Sequence, residues 1–275
     1  METPILISCV KNDLKRLPFF LEYYRKLGIK EFVMIDNNSV DGSYEYLETQ
    51  ADVVLYLEKR DYRECNHGVR WINETLNRHA KNRWALTVDT DEFFAYPSCE
   101  KHDISHLISF LESRNYEAFA APMLDMYANA PLGDIAHEPG DDLILRFPYF
   151  DSGPYQHLIC PGVGKVINRG GVRFRLFERG FKYRGNAPPV LKKIPLVKWD
   201  GLRQYKHSTH VFENAKLSPM TGVLLHFNLL GDIRALQCDK EYPRHLLRFN
   251  PYFENTVEYT GSKLLVELGL IYDAI

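Results

Sequence analysis

Along the first third of the chain, apolar and polar positions switch between two periods. Ile5 to Val10 is almost wholly apolar and reads as a buried strand, and Lys11-Asn12-Asp13 follows as a turn able to cap a helix. Apolar residues then recur at Leu17, Leu21, Tyr24 and Leu27, the spacing of one helix face, with Pro18 in an early turn and Gly28 at the stop. The unit repeats. Glu31 to Ile35 predicts a second strand, which runs into the polar stretch Asp36 to Gly42, and Ser43 to Glu48 a second helix. Val53 to Leu57 and Trp84 to Val88 predict a third and fourth strand around a helix from His67 to His79. Strands and helices alternating at these lengths predict an α/β fold: a mostly parallel sheet flanked by helices, with right-handed crossovers.

In such a sheet Asn12, Asp36, Asn38, Asp89 and Asp91 fall along one edge, outside the strands' carboxyl ends, where open α/β sheets bind ligands. Amides and carboxylates there suit the base and ribose of a nucleotide, although Asp36 to Ser39 is equally well explained as a helix start. The sharpest stretch is Trp84-Ala-Leu-Thr-Val-Asp-Thr-Asp-Glu-Phe-Phe94, an apolar strand that stops at Asp89, Asp91 and Glu92. Residues two apart on extended backbone share a side, so Asp89 and Asp91 can offer both carboxylates to one cation while Thr90 faces away. Such ligands suit Mg²⁺ or Mn²⁺, with phosphates and water completing the shell. An acidic loop after a core strand is the plain alternative.

Further on, Asp103 to Leu111 predicts an amphipathic helix and Glu117 to Met123 a buried strand. Cys99, His102 and His106 have a spacing compatible with zinc, but no fourth ligand is evident and a structural role is the simpler reading. The stretch from Leu124 to Cys160 is rich in Pro, Gly and aromatic residues, which suit a sugar ring or equally a loop anchored to the core; Asp125 and Asp151 are its candidate site carboxylates. Between Lys165 and Lys206 stand twelve Lys or Arg, among them Lys192 and Lys193, against only Glu178 and Asp200. That segment suits a departing diphosphate or an anionic acceptor, or is a solvated basic face. Of the later histidines, His210 is a candidate ligand, and His226 lies in an apolar run where a core histidine is expected. The tail from Lys263 to Leu270 predicts an amphipathic helix.

With 275 residues and 45% hydrophobic content the chain can bury one large core or two small ones. A net charge of -2 gives no global reason to expect nucleic acid, and no basic helix or stacking-rich ribbon suggests it locally. Five widely spaced cysteines without a Cys-x-x-Cys pair predict reduced thiols in a cytoplasmic protein. No signal peptide or bilayer-spanning apolar run is expected, so contact with a membrane would be peripheral at most.

Three motifs in order, Cys9-Val-Lys-Asn-Asp13, Ile35-Asp-Asn-Asn-Ser-Val-Asp-Gly42 and Val88-Asp-Thr-Asp-Glu-Phe93, resemble the family-2-type glycosyltransferases, in the branch with an Asp-x-Asp-Glu-Phe signature. The resemblance covers about the first 125 residues. It implies a GT-A (Rossmann-like) fold, with 1–125 as the nucleotide-sugar-binding half and 126–275 as a mixed, acceptor-binding C-terminal half of the same domain. It further implies a nucleotide-diphosphate sugar donor, a divalent metal joining Asp89 and Asp91 to the diphosphate, and a nucleoside site lined by Val10, Asn12, Asp36 and Asn38. Because such enzymes often place a C-terminal histidine on the metal, His226 becomes a third ligand candidate. Where the common family-2 chain has an Arg-Asn pair, this one reads Asn66-His-Gly-Val-Arg70, which leaves Arg70 as the candidate phosphate contact. The implied activity is transfer of a sugar to a hydroxyl of a glycan or glycolipid, as in cell-surface polysaccharide assembly, with inversion. Inversion needs a carboxylate base, for which Glu178 and Asp151 are the candidates. Two rivals stand beside it: a phosphatase-like hydrolase using Asp-x-Asp as nucleophile and acid/base, in which the motif would end the first strand, and a non-catalytic nucleotide-sugar-binding protein.

Overall fold

The computed structural model describes residues 3–128, 136–160, 164–174, 190–228 and 255–273. Strands β1 (Ile5–Val10), β2 (Phe32–Asp36) and β4 (Trp84–Thr87) are buried at nearly every position, as parallel strands covered on both faces must be. β3 (Val53–Leu57) is half-buried and forms the sheet's outer edge. Between them run α1 (Leu17–Lys26), α2 (Ser43–Glu48) and α3 (Val69–His79). α1 carries its proline in the first turn, where a missing N–H costs nothing, and Arg25 and Lys26 in the last, where they complement the helix dipole. Its Leu17, Phe20, Leu21 and Tyr24 join Leu6 and Phe32 in one core layer, while Val69, Ile72 and Leu76 of α3 join Ile5, Ile7 and Val33 in the other. Successive residues of β1 therefore feed opposite layers.

The main sheet has the order β3-β2-β1-β4-β11-β6, with β6 at Ala118–Phe119 and β11 at Leu196–Lys198. β1 to β4 pair in parallel, and β11 runs against both its neighbours. This is a mostly parallel, Rossmann-like α/β sheet. Its strand order turns back between β1 and β4, and the crevice beyond their carboxyl ends is the switch point where such sheets take ligands.

The apolar run from Glu117 to Met123 is not the single strand its composition predicts. β6 stops at Phe119, and β7 (Met123–Asp125) starts after Pro122 in a second sheet, ordered β5-β12-β7, with β5 at Glu92–Ala95 and β12 at Val223–His226. Pro122 has no N–H for a ladder. On either side of it, the Ala121 N–H donates to the Lys193 carbonyl at 3.0 Å and the Met123 N–H to the Leu191 carbonyl at 2.8 Å. Because β11 and β12 both come from beyond residue 190, the C-terminal half threads through both sheets.

Helix α4 (Ile104–Ser113) begins at Asp103, whose carboxylate accepts the Ser105 N–H. Smaller elements follow: α5 (Leu143–Arg146), β8 (Tyr149–Asp151), the ribbon β9 (Tyr155–Cys160) with β10 (Gly164–Gly170), α6 (Gly171–Phe174) and β13 (Thr256–Glu258). The predicted tail helix is α7 (Ser262–Glu267), tied down where Glu100 accepts the Ser262 N–H and hydroxyl, each at 2.6 Å. Among the described residues no helix is long and apolar enough to cross a membrane.

Candidate active site

β4 does not run straight into the acids. The chain turns over Asp89 to Glu92, closed by the Glu92 N–H donating to the Asp89 carbonyl at 3.0 Å, so Asp89 and Asp91 sit on a turn rather than on extended backbone. The buried Thr90 sets its hydroxyl on the carboxylate of buried Asp13, which in turn pairs with Arg16 at 2.6 Å. Burial, opposed by Arg16 and the Thr90 hydroxyl, leaves the Asp13 carboxyl above its usual value. Across the turn, Asp89 keeps about half of its side chain open to the cleft, Asp91 is part-buried, and Glu92 is fully buried.

Opposite the turn stands a lysine that sequence patterning did not single out from its basic segment. Leu196 pairs antiparallel with Leu86, and continuing that register sets Lys193 opposite Asp89. Its ammonium, 4% exposed, donates to Asp89 Oδ2 at 2.8 Å and to Glu92 Oε1 at 2.6 Å, while the Asp89 N–H donates to Glu92 Oε2 at 3.1 Å. Glu92 is thus engaged on both oxygens. Burial dominates its titration and pushes it up to about 7 in spite of Lys193. For Asp89 the surrounding protein also favours the neutral form, but Lys193 outweighs it, so the carboxyl ends below the ordinary aspartate value. Burial opposes the charge on Lys193 as well, and the two carboxylates more than restore it.

The second sheet brings the histidine. β12 pairs His226 with Glu92 on β5 and with Asp125 on β7, so three strands deliver these side chains at one level. His226 Nδ1 lies 2.6 Å from Asp125 Oδ1 and Nε2 lies 3.5 Å from Asp91 Oδ2, both His226 and Asp125 being buried. A carboxylate behind one ring nitrogen fixes the tautomer and aims the other outward, the arrangement metal-binding histidines use. One ligand atom each from Asp91, Glu92 and His226 lies within 4.8 Å of the others, the only such group of three or more among the described residues. Ligands about 2.1 Å from an octahedral ion stand roughly 3 Å apart when adjacent and about 4.2 Å when opposite. Asp91 Oδ2 and His226 Nε2, 3.5 Å apart, therefore suit two positions on a divalent cation, while both Glu92 oxygens are already taken by Lys193 and the Asp89 N–H. An imidazole beside carboxylates favours Mn²⁺ over Mg²⁺.

These groups floor a cleft of about 860 Å³, walled toward β1 and β2 by Val10, Asn12, Asn37, Tyr62 and Trp71. No family model matches the chain, and no curated protein does. Among solved structures it is similar to a glucose-1-phosphate thymidylyltransferase from Bacillus anthracis at 10% identity and TM-score 0.29, covering 49% of this chain and 61% of that one. It is similar also to a 4-diphosphocytidyl-2C-methyl-D-erythritol synthase, at 14% identity and TM-score 0.32 over 50% of this chain and 68% of that one. HddC from Yersinia pseudotuberculosis matches at 7% identity and TM-score 0.34 over 71% of this chain and 74% of that one. At such scores the cleft must be read from its own residues.

The other expected site residues divide. Val10 and Asn12 line the cleft, although Asn12 spends its side-chain oxygen on the Val40 N–H at 2.8 Å. Asp36 is fully buried and accepts the Ser39 N–H at 2.8 Å, and Asn38, at a φ of 57°, shapes the same loop; neither lines the cleft, whereas Asn37 does. Arg70 is exposed on α3, where the Gly68 turn starts the helix with Val69, Trp71 and Ile72 buried, and it is not among the residues lining the cleft. The Lys and Arg side chains that do line it are Lys11, Arg16 and Lys193. Asp151 is likewise no open base: it is 1% exposed and its Oδ1 accepts the Tyr127 hydroxyl at 2.7 Å. Glu178 lies outside the described residues, as do Arg175, Arg179 and Arg184. His210 lines the cleft with its Nδ1 against the Lys192 carbonyl. At Cys99, burial and Glu100 push the thiol up to about 12, and His106 Nδ1 lies 3.0 Å from Asp103; Cys99, His102 and His106 do not bring three ligand atoms together.

Proposed function

We propose that this chain is a metal-dependent glycosyltransferase, moving a sugar from a nucleotide-diphosphate donor to a hydroxyl of a glycan or glycolipid, with inversion. One observation carries this reading. At the sheet's switch point, a cleft large enough for a nucleotide sugar is lined by four carboxylates (Asp13, Asp89, Asp91, Glu92) against three cations (Lys11, Arg16, Lys193). Such a surface has no positive excess for a diphosphate and becomes complementary to one when a divalent cation sits on the acids.

Asp91 and His226 would hold the ion, Mn²⁺ or Mg²⁺, with Glu92 and Asp89 beneath and beside it. The bound ion supplies positive charge where the departing diphosphate gains negative charge. Asp125 holds the His226 ring at the angle this requires. Val10, Asn37 and Tyr62 frame the end of the cleft left for the nucleoside, Tyr62 offering a part-exposed ring for a base to stack on. Asp36 and Asn38 act there by holding the loop rather than by touching the ligand. The acceptor's proton must go to a base on the far side of the sugar; Glu178 is the remaining candidate from the sequence.

The test is a screen of nucleotide sugars by thermal shift, each with Mn²⁺ and with EDTA. A donor that raises the melting temperature more with Mn²⁺ than with EDTA, and releases its nucleoside diphosphate when an acceptor glycan is supplied, is the expected result. A protein that responds to no nucleotide sugar, or that hydrolyses a generic aryl phosphate, is not this enzyme.

A further inference from the structure

Among the described residues of the basic segment before β11, Lys193 lines the cleft, beside the acids at the end of β4. An ammonium has three N–H donors. Two of those on Lys193 reach Asp89 and Glu92, and no other described residue takes the third. Lys193 also lines the cleft although it is 4% exposed, so the third donor is held at a surface that little water reaches. Neither carboxylate can leave it without stranding a buried charge, which fixes the ammonium in place before any ligand arrives.

We propose that Lys193 is a donor-binding residue: its third N–H takes a phosphate oxygen beside the metal held by Asp91 and His226, while its other two keep Asp89 and Glu92 engaged away from that metal. This rests on the transferase reading and adds a cation that belongs to the protein. Diphosphate charge is then shared between a removable ion and a permanent one, and some affinity for phosphate survives chelation.

Calorimetric titration in EDTA, using the nucleoside diphosphate that the screen identifies and the matching nucleoside, tests it. Replacing Lys193→Met should weaken the diphosphate by about tenfold or more and change the nucleoside by less than about twofold, because only the diphosphate meets the ammonium. Equal losses for both ligands would mean a purely structural lysine and overturn the proposal, as would no loss for either. Should that variant not fold, Lys193→Met combined with Glu92→Gln removes both charges of the buried pair and must give the same split. If the wild-type protein with Mn²⁺ binds none of the common nucleoside diphosphates, the transferase reading itself fails and takes this one with it. If it binds and Lys193→Met keeps the wild-type ratio of diphosphate to nucleoside affinity, only the present inference fails.

Discussion

Two sets of polar side chains close the same edge of the sheet on opposite principles. After β1 and β2, each loop satisfies the other: Asn12 Oδ1 accepts the Val40 N–H, Ser39 Oγ accepts the Asn12 N–H, and Ser43 Oγ accepts the Asp13 N–H, each at 2.8 Å. Donors there meet neutral or singly charged acceptors, and the result is a stiff wall. After β4, by contrast, Asp89, Asp91 and Glu92 crowd like charges against one lysine and one histidine. A polar strand end is therefore weak evidence of function, because most of its hydrogen bonding can be internal. Like charges held together despite their repulsion are stronger evidence, since folding alone gives no reason to keep them.

The contrast is broken most directly at Glu92. Glu92→Ala leaves the buried Lys193 with Asp89 alone and should destabilise the fold by about 3–5 kcal/mol in denaturant unfolding, the usual consequence of halving a buried ion pair. A loss under about 1 kcal/mol would mean that the pair is open to water. Next comes Asp91→Asn. Without ligand it should match or exceed wild-type stability, because it thins a cluster of like charges. With Mn²⁺ and nucleoside diphosphate at about a hundred times the dissociation constant, wild type gains about 2.7 kcal/mol and this variant should gain almost none. An equal gain in both would remove Asp91 from the metal.

The difference in principle also explains what could be read from the chain. β1, β2 and β4 were legible because strands covered on both faces must be apolar throughout, and α2 and the half-buried edge strand β3 fall on the predicted boundaries. The acidic motif was legible because nothing in a core explains Asp89, Asp91 and Glu92 after Val88. Asp125 was legible as a candidate carboxylate, but what it, Lys193 and Glu92 each touch was hidden, since they meet only after an antiparallel strand and a second sheet have formed from distant segments. One signal was present: a strand at 196–198 beside β4 fixes which residue faces Asp89, but its neighbour cannot be inferred from periodicity. Arg70 is exposed for a local reason, its position relative to the Gly68 turn, which was not visible in the spacing of charges.

On the quieter side of the comparison, Ser43→Ala should cost about 2 kcal/mol, because the buried Asp13 N–H loses its acceptor and Asp41 loses a donor. The Mn²⁺-dependent gain should survive in this variant. If Ser43→Ala abolished it, the loops would belong to the binding machinery and the division between the two sets would not hold.

The smallest effect is expected at Asp41, where the sign can be worked out. Burial is the largest single influence and raises its pKa, but the Ser43 hydroxyl and the N–H groups of Leu14 and Ser43 all donate to the carboxylate and together outweigh it, so the net value lies below the usual 3.8. A carboxyl whose pKa is lower in the folded state stabilises it above the unfolded value, and that contribution disappears as pH falls through the folded one. Asp41→Asn cannot titrate, so it should be less stable than wild type near neutral pH, with the gap closing on acidification below 3.8. Because the side chain reaches solvent, the gap is a modest one, resolved by parallel urea titrations across the acid range. A gap that stays constant with pH would mean that the loop's hydrogen bonds are indifferent to charge, and the wall after β1 and β2 would then rest on geometry alone.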